Sequence, residues 1–368
     1  MGGNANNRLL KILHIDPEKN WGGGEAQVLG LLTYLAATGH RNDLLSHPSG
    51  LLLTRCQTID VRARPIVMRN DADVRCVPAL RRLIRKKSYD VVHFHTKRAH
   101  ALALWLPRGR RRPKYVVTRR MDYPESPSWY TRFLYNRRVD GVVAISQGIG
   151  NLLTSAGVDR EKIRCISSGI DPGKFAGIGV PGASIDDVFV VGCLAALVER
   201  KGHQYLLEAA ALLKARGLKI RYEIAGDGPK RAELEAEAVR LGLRDHVRFR
   251  GFVADTAEYF AGVDLLAMPS LYEGLGVAAL EAMAAGRAVI ATRVGGLTES
   301  VIDGVTGFLV PPRDAAALAG AIAELVRSRS LAQTMGSRGR ERARRHFSLE
   351  NMARQNESYY YELVGASS

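Results

Sequence analysis

Two carboxylates eight residues apart, Glu273 and Glu281, stand in the segment Met268 to Gly286, MPSLYEGLGVAALEAMAAG. Glu273 follows an apolar run and a Pro–Ser pair. Gly274, Leu275 and Gly276 come next and lead into a helical pattern. Glycines at such a place let backbone N–H groups come close to a ligand. The N-terminus of the helix that follows can hold a phosphate. Glu281 is the only charged residue between Gly274 and Gly286. A carboxylate on so apolar a helix is costly unless it is hydrogen-bonded or paired with a ligand. Ribose hydroxyls would serve as donors, as would a neighbouring backbone group or an arginine.

Other residues carry weaker signals. Gly22, Gly23 and Gly24 follow the first apolar run and open a helix, where backbone amides can bind a phosphate or simply make a turn. His93 and His95 alternate on one strand candidate and are expected on opposite faces, one toward a cleft and the other in the core. His95, at the strand end, is the functional candidate; His100 reads as a surface residue. No His/Asp/Glu group has metal-ligand spacing. Asp71-Ala72-Asp73 sits among Arg69, Asn70 and Arg75 with no apolar strand before it, and reads as a loop. Cys56, Cys76, Cys165 and Cys193 are scattered, as expected of reduced thiols.

Short Val- and Ile-rich runs alternate with longer amphipathic stretches. The strand candidates are Leu9–Ile15, Asp90–His95, Lys114–Arg119, Gly141–Ser146 and Lys162–Ser167, then Val188–Ala195, Ile220–Gly226, Val247–Phe252, Leu265–Ser270 and Ala288–Arg293. Between them lie helical patterns over Glu25–Thr38, His203–Arg216, Lys230–Leu241 and Val277–Ala285. This alternation predicts α/β architecture with parallel sheets. Asp171 to Asp187, rich in Gly and Pro, is the linker candidate. After Pro312 three helical patterns follow: Asp314–Arg327, Leu331–Arg345 and Ser348–Val364. The expected division is 1–176, 184–345, and a last helix over 346–368 crossing back to the first domain, with Tyr359, Tyr360 and Tyr361 as packing residues. In such sheets ligands bind outside the carboxyl ends of the strands.

The chain has 368 residues, enough for two domains. It is 46% hydrophobic and 24% charged, a globular composition. The net charge of +16 implies an anionic partner: nucleic acid, an acidic membrane or a phosphorylated substrate. Basic residues cluster at Arg81, Arg82, Arg85, Lys86 and Lys87, and at Arg108, Arg110, Arg111, Arg112 and Lys114, with Arg119 and Arg120 close behind. A well-solvated basic surface is the plainer account. Met1 to Asn7 lacks the ordered regions of a secretory signal, and no apolar run approaches the roughly 20 residues of a membrane span. A cytoplasmic location is expected, with peripheral contact at an acidic membrane through the basic clusters.

Glu273 and Glu281 match the E-x7-E pattern of the retaining glycosyltransferases of family 4, and the surrounding phrases resemble that family too. They are LVERKG at Leu197–Gly202, IAGDGP at Ile224–Pro229, VIATRVGGLTE at Val289–Glu299 and DGVTGFLVP at Asp303–Pro311. In the first half, Gly22–Glu25 is similar to the family's glycine-rich loop, and Ser168–Asp171 to the phrase before the linker. The resemblance implies the GT-B fold, two facing Rossmann-like domains with a deep cleft between them. By position it implies that Glu281 binds the donor ribose and Glu273 the sugar hydroxyls. Amides near Gly274, Leu275 and Gly276 would support sugar or phosphate. Gly226 falls in the donor loop, and Lys201 would neutralise the diphosphate, sensible chemistry for a leaving group without a metal.

The pattern is broken twice. Members often carry an Arg five or six residues before the Lys; here Ala196 and Ala195 stand there, and either Arg200 substitutes or Lys201 acts with loop amides alone. Many place a His at the end of the strand that is Lys114–Arg119 here; Thr118-Arg119-Arg120 replaces it, and its role either passes to Arg120 or is absent. No cofactor or metal is implied. The partners implied are a nucleotide-sugar donor, with UDP commonest, and a saccharide or glycolipid acceptor of the cell envelope such as a lipopolysaccharide core. A nucleotide-sugar epimerase shares the fold and would work without an acceptor. A nucleic-acid-binding protein would need stacking aromatics beside the basic runs. Aromatics are only 7%, and Tyr115, Tyr123 and Trp129 form no platform motif.

Overall fold

The computed structural model describes residues 8–107, 109, 112–121, 126–179 and 188–365. It contains two compact units: the chain up to Gly169 together with residues from Leu349 on, and Ile170–Ser348. The basic residues Arg108, Arg110 and Arg111, together with Tyr123 and much of the linker candidate, lie outside the described residues.

The first unit holds a parallel sheet of β1 (Lys11–Asp16), β2 (Arg41–Ser46), β3 (Val61–Pro65), β4 (Val91–Phe94), β5 (Lys114–Arg119), β6 (Gly141–Ala144) and β7 (Ile163–Cys165). The order is β3-β2-β1-β4-β5-β6-β7. Strand order reverses between β1 and β4, the kind of switch point at which open sheets bind ligands. Register there sets His14 beside His93. β1, β4, β5 and β6 are almost wholly buried, as their near-continuous apolar sequences require.

β2 and β3 were not anticipated. β2 reads as polar, RNDLLS, yet Asn42 and Asp43 are buried. Both have partners: Asn42 bonds to His14 and to the His40 carbonyl, and Asp43 accepts the Tyr89 hydroxyl. Satisfied polar groups hide a buried strand from a hydropathy reading.

The second unit carries β8 (Phe189–Leu194), β9 (Ile220–Ala225), β10 (Val247–Gly251), β11 (Leu265–Met268), β12 (Ala288–Thr292) and β13 (Gly307–Val310). They are parallel, in the order β10-β9-β8-β11-β12-β13, with the switch between β8 and β11. β13 is the third strand not anticipated. The helices His203–Ala215, Arg231–Arg240 and Val277–Ala284 fall where the periodicity put them.

The chain enters the second unit earlier than composition indicated. Ile170 N–H bonds to Phe347 O at 2.7 Å. Pro172–Phe175 forms a short 3-10 turn, and Phe175 is buried edge-on against Phe260. A Gly- and Pro-rich composition did not expose that anchor.

The last helix, Leu349–Val364, packs in the first unit against the helix Gly23–Ala37. Glu357 accepts from Tyr34 Oη at 3.0 Å and from His40 Nε2 at 2.7 Å. Tyr359, Tyr360 and Tyr361 are all buried, and each hydroxyl has a partner. Tyr360 does more than pack, because its hydroxyl bonds to His93 Nδ1 at 2.6 Å.

Candidate functional site

In the second unit the loops after β8, β9, β11 and β12 converge through their backbones. Leu197 N–H bonds to Asp227 O at 2.9 Å, and Lys230 N–H to Leu197 O at 3.0 Å. Leu271 N–H bonds to Arg200 O at 2.8 Å, and Gly296 N–H to Glu273 O at 3.1 Å. The Thr292 hydroxyl donates to Ser270 O at 2.5 Å. Parallel strands deliver these loops to one edge, and the cross-links fix them.

Two glycines make the convergence possible. Gly226 has φ +135°, and a Cβ there would run into the Ala195 carbonyl oxygen. Gly276 has φ +82°, and a Cβ would sit 2.5 Å from Leu297 Cδ2. Gly276 precedes the helix Val277–Ala284 with no side-chain cap, so first-turn amides are left for a ligand. Leu275 is buried, and its carbonyl accepts from Ser300.

Within this cluster Lys201 and Glu273 form an ion pair, both side chains nearly buried. Ser270 Oγ donates to the same Glu273 oxygen at 3.3 Å. Arg200 contributes its carbonyl to the cluster, anchoring Leu271. Glu281 stands apart from that pair. Thr256 Oγ1 donates to Glu281 Oε1 at 3.2 Å and itself accepts from Lys174 Nζ at 2.9 Å. Burial pushes the Glu281 carboxyl above its ordinary range, and the Lys174 charge and the Thr256 bond pull it partly back. One hydrogen bond leaves much of the carboxylate's acceptor capacity unused. Ser270, Thr256 and Lys174 were missed from sequence, because neither their types nor their spacing marks them.

In the first unit a second polar group gathers at the switch between β1 and β4. Asp16, at the end of β1, is 1% exposed. Burial first, then the Glu25 charge, push its carboxyl up to about 7. Arg120 follows β5 and is deeply set; burial weakens its charge while Asp16 and Glu25 support it. A Cβ on Gly24 would lie 3.5 Å from Arg120 Cδ. Gly22 precedes the helix Gly23–Ala37 without a side-chain cap. Burial pushes the Glu25 carboxyl up, and the nearby backbone amides of Glu25 and Gly22 pull it partly back.

The histidines differ from their expected placement. His93 and His95 do not face opposite ways. Residues two apart along a strand share a face, so the period of two brings both rings to one side, 4.1 Å apart. His14 joins them, and ring nitrogens of all three lie within 4.8 Å of one another. His14 sits on β1, so no spacing along the chain could reveal the group. His14 and His93 have both ring nitrogens hydrogen-bonded. His100 is a core residue, 1% exposed, its ring edge-on to Tyr135 at 4.5 Å. It lies in a short helix, Lys97–Ala101, whose buried face takes it inward.

Two further expectations need adjustment. Arg112 is held by both oxygens of Asp140, at 2.6 and 2.9 Å, and Arg119 is buried, so neither contributes to a free basic surface. The helix Val77–Lys87 does present one: Val77, Leu80 and Ile84 face inward, while Arg81, Arg82, Arg85 and Lys86 are exposed. Asp73 lies in a turn with its carboxylate gripped by Arg75 at 2.6 and 2.7 Å. None of Cys56, Cys76, Cys165 and Cys193 is in a disulfide. Among the described residues no helix is long and apolar enough to cross a membrane.

Two parallel α/β domains, each with polar loops at a topological switch, are the architecture of GT-B glycosyltransferases. Residues 181–342 match the family model described as Glycosyl transferases group 1, and residues 21–174 match Glycosyltransferase Family 4. The chain is 35% identical over 257 residues to the lipopolysaccharide core biosynthesis glycosyltransferase LpsE of Rhizobium meliloti, covering 68% of this chain and 72% of that one. It is 31% identical over 327 residues to a GDP-mannose-dependent alpha-(1-6)-phosphatidylinositol monomannoside mannosyltransferase of Mycobacterium tuberculosis, covering 83% and 79%. The crystal structure of Anabaena HepE with UDP and glucose superposes with a TM-score of 0.81 at 23% identity, over 96% of this chain and all of that one. The chain belongs to the family 4 glycosyltransferases.

Proposed function

We propose that the protein is a retaining, metal-independent hexosyltransferase that uses a nucleotide-sugar donor, with a UDP-sugar favoured. The observation that carries this is the Lys201–Glu273 pair inside the glycine-bounded loop cluster of the second unit. The donor diphosphate would take Lys201 from Glu273 and lie against the amides after Gly274 and Gly276. Released from Lys201, Glu273 would bond to sugar hydroxyls, and Glu281 to the ribose. In the transfer the bond from the anomeric carbon to the diphosphate breaks, and one to the acceptor oxygen forms on the same face. The acceptor's proton goes to the departing phosphate, whose charge Lys201 and loop amides stabilise.

The first unit would bind the acceptor. Asp16 and Glu25 both act on Arg120, which suits saccharide hydroxyls at that point better than a bare phosphate. The acceptor class we favour is a lipid-linked saccharide or lipopolysaccharide core. Its support is that LpsE acts in lipopolysaccharide core biosynthesis and the mycobacterial relative on a phosphatidylinositol mannoside. The exposed cations of Val77–Lys87 would hold the protein to the cytoplasmic side of an acidic membrane, each adding about 1 kcal/mol.

The test is a thermal-shift panel of UDP-, GDP- and ADP-sugars without added metal, on wild type and Glu281→Ala. A ligand that binds only the folded state raises the midpoint. One nucleotide class should stabilise wild type and not the variant, and names the base. No shift with any donor at millimolar concentration removes the donor-site reading. Charge reversal at Arg82, Arg85 and Lys86 should abolish sedimentation with anionic vesicles; unchanged sedimentation removes the membrane contact.

A further inference from the structure

Among the described residues, His95 Nδ1 and Arg120 Nε are buried and make no hydrogen bond. Leaving such an atom unpartnered costs about 1–3 kcal/mol, so each marks a place where a ligand or an ordered water is to be expected. The hydrogen bonds around His95 settle which kind of atom its Nδ1 is.

The hydrogen-bond relay to His95 starts at Asn42. Its amide nitrogen donates to His40 O at 3.0 Å, which turns Oδ1 toward His14 Nε2 at 3.3 Å. An amide oxygen only accepts, so His14 Nε2 carries the hydrogen. His14 is neutral in the fold, since burial lowers it to about 4. A neutral imidazole has one donor and one acceptor nitrogen, so His14 Nδ1 is bare. It lies 3.0 Å from His95 Nε2, which must therefore be the donor. His95 is neutral as well, chiefly through burial. Its Nδ1 is thus a bare acceptor. His93 does not interfere, because Tyr360 and Thr118 take its two nitrogens at 2.6 and 2.7 Å.

Arg120 Nε is the complement: a donor without an acceptor, in a side chain whose charge acts on His95. A hydroxyl group donates once and accepts twice, so one lying within reach of both atoms would satisfy both. We propose that Asn42 and His14 are positioning residues that fix His95 with a bare Nδ1, and that this nitrogen and Arg120 Nε together bind one hydroxyl of the acceptor saccharide. The assignment rests on the transferase reading only in naming the hydroxyl's source.

Histidine tautomers are read directly from 15N resonances of the full-length chain labelled at histidine, assigned by single His→Gln variants. Wild-type His95 should show a bare Nδ1 and a protonated Nε2. A protonated Nδ1 overturns the relay. Asn42→Leu should lose this single-tautomer signature, while Asn42→Asp, which keeps the acceptor oxygen, should retain it; retention in the leucine variant also overturns the relay. Methyl α-D-glucopyranoside is the hydroxyl probe. It should move the His95 Nδ1 resonance in wild type and leave that of His100 in place. No movement at molar concentration overturns the hydroxyl site. UDP-glucose binding by thermal shift is measured on the same samples. Its absence would count against the donor reading and leave the tautomer result standing.

Discussion

Lys201 and Glu273 are bonded to each other, although one ends the loop after β8 and the other lies in the loop after β11. The pair bridges the switch point of the second sheet, and Ser270 supports its carboxylate. Removing one partner of a nearly buried pair leaves a bare charge, at a cost of about 3–5 kcal/mol. Lys201→Ala and Glu273→Ala should each lower stability by an amount of that order in urea unfolding. Lys201→Met combined with Glu273→Gln should restore much of it. Transfer activity should fall about 100- to 1,000-fold in the single variants, the size of a lost transition-state contact, and should stay low in the pair. Recovery of activity with recovery of stability would show the pair to be structural only.

Glu281 should behave in the opposite way. Its carboxylate is buried with one hydrogen bond, so the free protein bears a desolvation cost that a bound ribose would offset. Glu281→Gln should leave the free protein as stable or more so, and weaken donor binding about 10- to 100-fold. The raised folded carboxyl also predicts a pH signature. Wild type should lose stability as pH rises from the ordinary value of 4.5 through the folded one, because the folded state holds the proton longer. The glutamine variant should lose less, and the difference is the share of Glu281, since Asp16 contributes to both. Calorimetry from pH 4 to pH 8 compares them.

Much of this site was legible because its residues are local in sequence. Glu273, Glu281, Gly274 and Gly276 occupy one strand–loop–helix passage, and the helix Val277–Ala284 fell where its apolar pattern put it. Lys201 was reached only through the family phrase around it, and its pairing with Glu273 depends on β8 and β11 being neighbours. The first unit was harder to read. His14, Asn42 and His93 come together because β2, β1 and β4 are adjacent. β2 was hidden by the polar residues that make those contacts. His100 was misjudged because its polarity says nothing of which side of a short helix faces the core.

Gly226 tests whether backbone geometry holds the donor loops. Its φ of +135° is closed to residues with a Cβ, and the Ala195 carbonyl oxygen stands where the Cβ would go. Strain of this kind costs about 1–3 kcal/mol before any clash. Gly217 also has positive φ, +72°, but has open space around its missing side chain. Gly217→Ala should cost about 1–2 kcal/mol. Gly226→Ala should cost more, and should weaken donor binding where Gly217→Ala does not. Equal losses in both variants would remove the close approach at Ala195 from the account.

His100 gives the clearest acid response, since it lies outside both polar clusters and has a buried Nε2 without a partner. Burial, with smaller contributions from Arg119 and Lys97, lowers it from 6.5 to about 3. Stability rises with pH wherever the unfolded chain binds more protons than the folded one. Between the ordinary and folded values the unfolded chain carries a proton on His100 that the folded chain excludes. The residue therefore costs nothing above its ordinary value and about 1.4 kcal/mol for each pH unit below it, until the folded group titrates. His14 and His203, each lowered to about 4, act in the same direction. Asp16, raised to about 7, acts in the opposite one. None of the three is altered by His100→Phe, so the difference between variant and wild type isolates His100. Urea unfolding at pH 7 and pH 5 should show the variant's advantage growing by about 2 kcal/mol on acidification. A constant difference would mean that His100 titrates alike in the folded and unfolded chain, and that its burial does not hold it neutral.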